Sequence, residues 1–178
     1  MGLQAGANGL PFIPVIGLLN SDYMKVNRDF VTMKDPFTGG EYVVVPPIVP
    51  DVAVIHAFKG DVFGNVITDS FRNDRLLAMA ARKTIAVIEE LVEPDEVLPG
   101  KHGVFVSMVH INAVVVAPKG AHPTACRDAY DIDTAHIMTY MEAAKDENKF
   151  MNYLDTYITG PKDHTQYLKV VKSEVNND

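Results

Sequence analysis

The sequence predicts an α/β fold in three layers, a sheet with helices on both faces, and three observations predict it. Val52 to Ala57 is an apolar run with prolines before it and Lys59-Gly60-Asp61 after it, as a strand buried on both faces requires. Thr84-Ile85-Ala86-Val87-Ile88 is a second such run, partly β-branched. Between them Leu76, Met79, Ala80 and Lys83 recur at three- and four-residue spacing, which predicts a helix over 74–83 capped by Asn73 or Asp74. Strand, helix and strand make one βαβ unit.

The remaining elements follow in chain order. Gly6 and Gly9 around Asn8 end any short helix at the start, and Pro11 and Pro14 hold Phe12-Ile13 extended. Val15 to Leu19 is a short apolar segment, and 20–33 reads as a surface loop with one helical turn. Asp35-Pro36-Phe37-Thr38-Gly39-Gly40 is a turn, and Glu41 to Val45 after it is a strand. Pro94 to Gly103 is a polar loop punctuated by Pro99-Gly100, with extended segments at 104–106 and 111–117 beyond it. Two helices are expected over 135–145 (Ile137, Met138, Met141 and Ala144 at helical spacing) and 147–157 (Phe150, Met151, Leu154 and Ile158 at helical spacing), the second stopped by Gly160-Pro161. Asp163 opens a last short helix to Val171, and Ser173 to Asp178 is expected to fray. The whole of 1–178 reads as a single domain.

Composition excludes several classes. The chain has 178 residues, 47% hydrophobic and 22% charged, enough to bury one sizeable core. Its net charge of -7, without a Lys/Arg cluster, gives no electrostatic case for nucleic acid or an anionic membrane. No run reaches the roughly 18 apolar residues of a membrane span, no signal-peptide pattern opens the chain, and Cys126 is the only cysteine. A cytoplasmic protein is expected. The six histidines include no HxxxH or HxH pair, so no metal site is expected. No Walker loop or dinucleotide fingerprint is present.

His56-Ala57-Phe58-Lys59-Gly60-Asp61-Val62-Phe63-Gly64-Asn65 resembles the His-Ala-x-x-Ala-Asp-x-x-Gly-Asn loop of family I coenzyme A transferase A subunits, with Gly60 where Ala is frequent. Further matches are Gly120-Ala121-His122-Pro123-Thr124, Tyr130-Asp131-x-Asp133, Glu89-Glu90-Leu91-Val92-Glu93-Pro94 and Lys162-Asp163-His164-x-x-Tyr167-Leu168. Together they resemble the glutaconate type of alpha subunit, from Gly2 to Leu168. The match starts partway through such subunits, so a first strand, a glycine-rich loop and several βα units are expected outside this chain: a fragment, a split gene or a late start codon. Met108 to Ile111 is interposed relative to the family pattern, and Asn112 stands where Asp is usual.

The resemblance implies a CoA-transferase-like (NagB/RpiA-like) partial fold. It also implies a reaction in which a glutamate carboxylate attacks an acyl-CoA thioester, forms an acyl anhydride and accepts CoA as a glutamyl thioester. That glutamate lies on a partner B (beta) subunit, so no catalytic residue is assigned to this chain, whose glutamates are expected to be solvated. The substrates would be a CoA thioester and a carboxylic acid, a glutaconate-like dicarboxylate favoured, with no permanently bound cofactor. The alternatives are the A-type component of a hydrolase that opens steroid-derived rings on a CoA thioester, and a non-catalytic remnant or scaffold.

Two loops are the candidate binding positions. In the first, Lys59, Gly60, Asp61, Gly64 and Asn65, the glycines allow close backbone approach and their amides face an oxyanion or phosphate; the competing reading is a tight βα turn packed on a neighbouring subunit. In the second, Gly120, Ala121, His122 and Thr124, His122 and Thr124 donate to a substrate carboxylate, or His122 bonds a backbone carbonyl and only locks the loop. His56, after three apolar residues, reads as a satisfied core histidine, and Asp133 as the cap of the helix near Ala135.

Overall fold

The computed structural model describes residues 1–99 and 103–175. The expected turn at Gly100 and the part of the expected fraying at 176–178 lie outside them; the fraying expected at 173–175 is corrected, since the last helix runs on to Val175 through them. Backbone contacts group the chain into two compact units, Met1–Gly120 and Ala121–Asp178.

The first unit opens with α1 (Gly2–Ala7), which ends at Asn8 before Gly9 at φ +64°, as the glycine spacing predicts. β1 (Ile13–Val15), β2 (Val31–Lys34) and β3 (Glu41–Val45) form an antiparallel sheet in the order β1-β3-β2, with Ile13 opposite Val45 and Val31 opposite Val44. The region read as a loop with one helical turn does contain that turn, α2 (Tyr23–Val26), but also β2. The turn before β3 is nailed by Asp35, whose carboxylate accepts from the Phe37 amide at 2.8 Å and from the Thr38 hydroxyl.

The second sheet is mixed, in the order β7-β5-β4-β6-β8. β4 (Ala53–Gly60), β6 (Thr84–Leu91) and β8 (Ala113–Val116) are parallel, while β5 (Val66–Thr68) runs antiparallel to β4 and β7 (Val104–Val106) antiparallel to β5. α3 (Asp74–Ala80) lies in the β4-to-β6 connection, so the βαβ unit stands, with a hairpin strand inserted into it. α3 stops at Ala80, short of the expected Lys83, because Ala81 is already extended. Ile55, Ala57, Ala86, Ile88, Val66 and Val106 form the core with Ala78, and Leu77, Ile111 and Val114 pack against it. That core is on one face. β4 alternates buried and open residues, and Val54 is 62% exposed, so the expectation of a strand buried on both faces is corrected. The pleat sends Val54, paired with Ile85 in register, to the side opposite the core.

Asp74, in the first turn of α3, has a buried Oδ2 with no hydrogen-bond partner among the described residues. Burial raises its pKa above the ordinary 3.8. A carboxyl raised on folding contributes stability only while protonated, and that contribution is lost as pH rises through the folded value. Asp74→Asn is therefore expected to raise the melting temperature at pH 7, with the gain shrinking as pH falls toward 3.8. Thermal melts of both proteins across pH 3–8 check it; equal melting temperatures at pH 7 would overturn it.

The second unit holds α4 (Thr134–Ala143), α5 (Glu147–Leu154), a π turn at Asp155–Thr159 and α6 (His164–Val175). The caps Asp133 and Asp163 are those the sequence announces. Asp133 accepts from the His136 amide at 2.9 Å and Asp163 from the Gln166 amide at 2.8 Å, while Asp146 does the same for α5. The two helices expected from spacing are present, but the apolar residues that mark them are not the buried ones. Met138, Met141, Met151 and Ile158 are about half exposed or more, whereas His136, Tyr153 and Tyr157 are buried. His136 packs edge to face on Tyr157 at 4.6 Å between centroids, and the Tyr153 hydroxyl meets His136 Nε2 at 2.9 Å. Rings joined by this hydrogen bond take the interior in place of the methionines.

Candidate functional site

The first loop is a ββ hairpin turn, not a βα turn. Lys59 and Gly60 belong to β4, and the chain reverses through Asp61–Asn65 into antiparallel β5. Gly60 sits where its missing side chain matters, since a Cβ there would lie 2.9 Å from Val66 Cγ1. Asp61 is 1% exposed and organises the turn. Its Oδ1 accepts from the amides of Phe63 and Asn65, each at 2.9 Å, and its Oδ2 from Asn65 Nδ2 at 2.7 Å. The Gly64 amide is also spent, on the Asp61 carbonyl at 3.2 Å, with Gly64 in the left-handed region at φ +100°.

Asn65 then reaches across: its Oδ1 accepts from the Met108 amide at 3.0 Å. The segment that departs from the family pattern is thus a short 3-10 turn, Met108–His110, docked on the first loop. Asn112, in the position of the usual Asp, bonds the Thr84 amide at 2.8 Å and ties β8 to β6. Asp61 is buried, while Val62, Phe63 and Val109 are exposed. Of the glycine amides expected to face an anion, that of Gly64 bonds the Asp61 carbonyl instead.

Glu89 is the group that sequence reasoning passed over. It was expected to be solvated with the other glutamates, yet its side chain is 12% exposed. Its Oε1 lies 2.7 Å from His56 Nε2, and its Oε2 accepts from the Lys119 amide at 2.6 Å. The burial follows from the strand: β6 runs on to Leu91, and its pleat turns Glu89 to the His56 side of the sheet. His56 is the satisfied histidine expected, with a carboxylate as its partner; because that partner only accepts, Nε2 carries the proton. Ala117 to Gly120 forms a tight turn, closed by the Gly120 amide on the Ala117 carbonyl at 2.9 Å.

In the second unit, His122 is held at both ring nitrogens. Nε2 meets Asp133 Oδ2 at 3.1 Å and Nδ1 meets the Tyr167 hydroxyl at 2.6 Å, with the His122 side chain 8% exposed. Since the carboxylate only accepts, Nε2 donates and Nδ1 accepts from Tyr167. Burial, then the charges of Tyr153 and Asp133, push the Tyr167 phenol up to about 12, so it keeps the proton it donates. The His136 amide first, and His122 second, hold the Asp133 carboxyl below its ordinary 3.8. The lock on this loop is therefore a carboxylate and a phenol rather than a backbone carbonyl. Thr124 turns its hydroxyl onto the Ala121 carbonyl, and the Ala121 amide donates to the Tyr130 hydroxyl at 3.0 Å.

Clefts lie elsewhere among the described residues. One of about 500 Å³ lies on the small sheet between Ile16, Met33, Phe37 and Tyr42, and one of about 940 Å³ on α4 and α5 between Met138, Glu142, Lys149 and Asn152. Neither is lined by the residues of the two loops. No helix among the described residues is long and apolar enough to cross a membrane.

Residues 1–117 match the family model described as Coenzyme A transferase. The A subunit of the 3-oxoadipate CoA-transferase of Pseudomonas knackmussii is 34% identical over 92% of this chain and 57% of its own length. The crystal structure of glutaconate coenzyme A-transferase from Acidaminococcus fermentans superposes with a TM-score of 0.84 at 31% identity, covering 95% of this chain and 59% of that one. The cholesterol ring-cleaving hydrolase IpdA subunit of Rhodococcus jostii is 31% identical over 93% of this chain and 59% of its own length. The chain thus spans 57–59% of the length of these three. It belongs to the coenzyme A transferase family and is of the A-subunit type.

Proposed function

We propose that this chain is part of the A subunit of an enzyme that moves coenzyme A between an acyl-CoA and a carboxylic acid, working with a B subunit that supplies the nucleophilic glutamate. The observation that carries the reading is the backbone agreement with glutaconate coenzyme A-transferase over 95% of the chain at a TM-score of 0.84. The engagement of Glu89 by His56 and Lys119 supports a nucleophile from elsewhere, since a carboxylate with both oxygens bonded is a poor attacking group. A glutaconate-like dicarboxylate is the preferred substrate class, on the Gly120-to-Thr124 motif. The ring-cleaving hydrolase subunit is nearly as similar, so hydrolysis of a CoA thioester is the second reading.

The test is to co-express the chain with a B subunit of this family and assay CoA transfer from acetyl-CoA to glutaconate, with borohydride trapping of the enzyme thioester. Transfer together with reduction of one glutamate on the B chain is expected. Thioester hydrolysis without transfer would replace the reading by the hydrolase. Neither activity, beside an active full-length A subunit run in parallel, would leave a scaffold.

A further inference from the structure

We propose that Lys119 is an anion-binding residue of the transfer site and that Glu89, braced by His56, positions it; the proposal rests on the transferase reading above. Lys119 has φ +60°, the left-handed region that a long L side chain rarely adopts. The strain is held from behind. Glu89 Oε2 fixes the Lys119 amide at 2.6 Å, and His56 fixes Glu89 through its other oxygen at 2.7 Å. On the next residue, a Cβ at Gly120 would lie 2.8 Å from the Ala117 carbonyl and 3.1 Å from Val87, so the turn has room for nothing larger.

A plain surface turn needs none of this, because Gly or Asn at 119 would release the strain without a mostly buried carboxylate behind it. Backbone strain maintained by surrounding structure is found where a side chain must be aimed. The Lys119 side chain is exposed and has no ion-pair partner among the described residues, whereas Lys25 and Lys145 are paired to Asp22 and Glu142 on their own helical turns. A cation on a fixed backbone, unpaired among the described residues and directly before the Gly120-to-Thr124 motif, suits an anion. The reaction proposed offers two: a phosphate of the CoA moiety and the carboxylate of the acid.

The experiment uses the two-subunit enzyme. In Lys119→Asn, which tolerates the left-handed backbone, KM for one substrate is expected to rise about tenfold while kcat stays within about twofold. Lys119→Arg is expected to recover most of that loss. Glu89→Ala is expected to raise the same KM and to add little to Lys119→Asn in the double variant. Glu89→Gln, which keeps an acceptor for the Lys119 amide, is expected to stay near wild type and covers the case in which Glu89→Ala does not fold. A loss that vanishes with a dephospho-CoA thioester assigns the CoA phosphate; one seen with a dicarboxylate but not a monocarboxylate assigns the acid. Unchanged KM for both substrates in a Lys119→Asn enzyme that transfers CoA would overturn the proposal. If the wild-type pair transfers nothing, the transferase reading fails by itself, and calorimetric titration of CoA and of glutaconate into the same complex decides this one. A roughly tenfold weaker affinity in Lys119→Asn upholds the anion site, and equal affinity or no binding rejects it.

Discussion

Asp61→Ala is expected to remove about 4 kcal/mol of stability, because it takes away a charged acceptor and leaves three donors that were bonded to it. The carboxylate is 1% exposed, so water does not readily replace it. For a chain of this size that corresponds to a fall in melting temperature of about 8–16 °C. Asp61→Asn should lose roughly half as much: one amide oxygen can still accept from Phe63 and Asn65, but the other oxygen becomes an NH₂ facing Asn65 Nδ2. The damage should also spread, since Asn65 hands the geometry of this turn to the Met108 amide. Hydrogen exchange at Met108 should therefore accelerate in Asp61→Ala along with exchange at Phe63 and Asn65. A loss below about 1 kcal/mol, or a Met108 amide that exchanges as in the wild type, would show that the hairpin holds itself and that Asp61 does not organise it.

That result would explain why the first loop was only half legible in the sequence. The residues Asp61, Gly64 and Asn65 mark a turn, and a turn is there, but their direction is set by contacts no local pattern contains. Asp61 points inward because β5 returns beside β4 and encloses it, and Asn65 finds a partner 43 residues away. The same reason separates what periodicity could read from what it could not. β4, α3, β6 and the caps Asp133 and Asp163 follow from apolar spacing and from short polar residues ahead of helices. β2 does not, because Val31-Thr32-Met33-Lys34 becomes a strand only through its pairing with β3. Apolar spacing marks α4 and α5 as helices but does not tell which side is buried, because hydrogen-bonded rings fill the interior: His136 and Tyr153 bury each other. Glu89 was missed for a related reason. Nothing in Glu89-Glu90-Leu91 separates it from its neighbour, and its role exists only once Lys119 comes beside it, 30 residues on.

His122→Ala is the second large effect, an expected loss of about 3 kcal/mol in thermal or urea unfolding, because Asp133 and Tyr167 are both left without the ring that joins them. Tyr167→Phe removes one hydrogen bond and should lose about 1 kcal/mol at neutral pH. The two variants differ most in their pH dependence. The Tyr167 phenol is raised on folding from 10.0 to about 12, so its contribution is whole below pH 10 and is lost as pH climbs toward 12. Tyr167→Phe should flatten that alkaline limb. The Asp133 carboxyl is depressed on folding, so its contribution is present above 3.8 and is lost as pH falls through the folded value. The His136 amide is the larger cause of that depression, so the acid limb should largely survive in His122→Ala and disappear in Asp133→Ala. Urea midpoints for the three variants at pH 2.5–5 and pH 9–12 check both limbs. An alkaline limb that persists in Tyr167→Phe would assign the titration to another group, and an acid limb lost in His122→Ala would make the ring, rather than the helix cap, the chief stabiliser of the charged carboxylate.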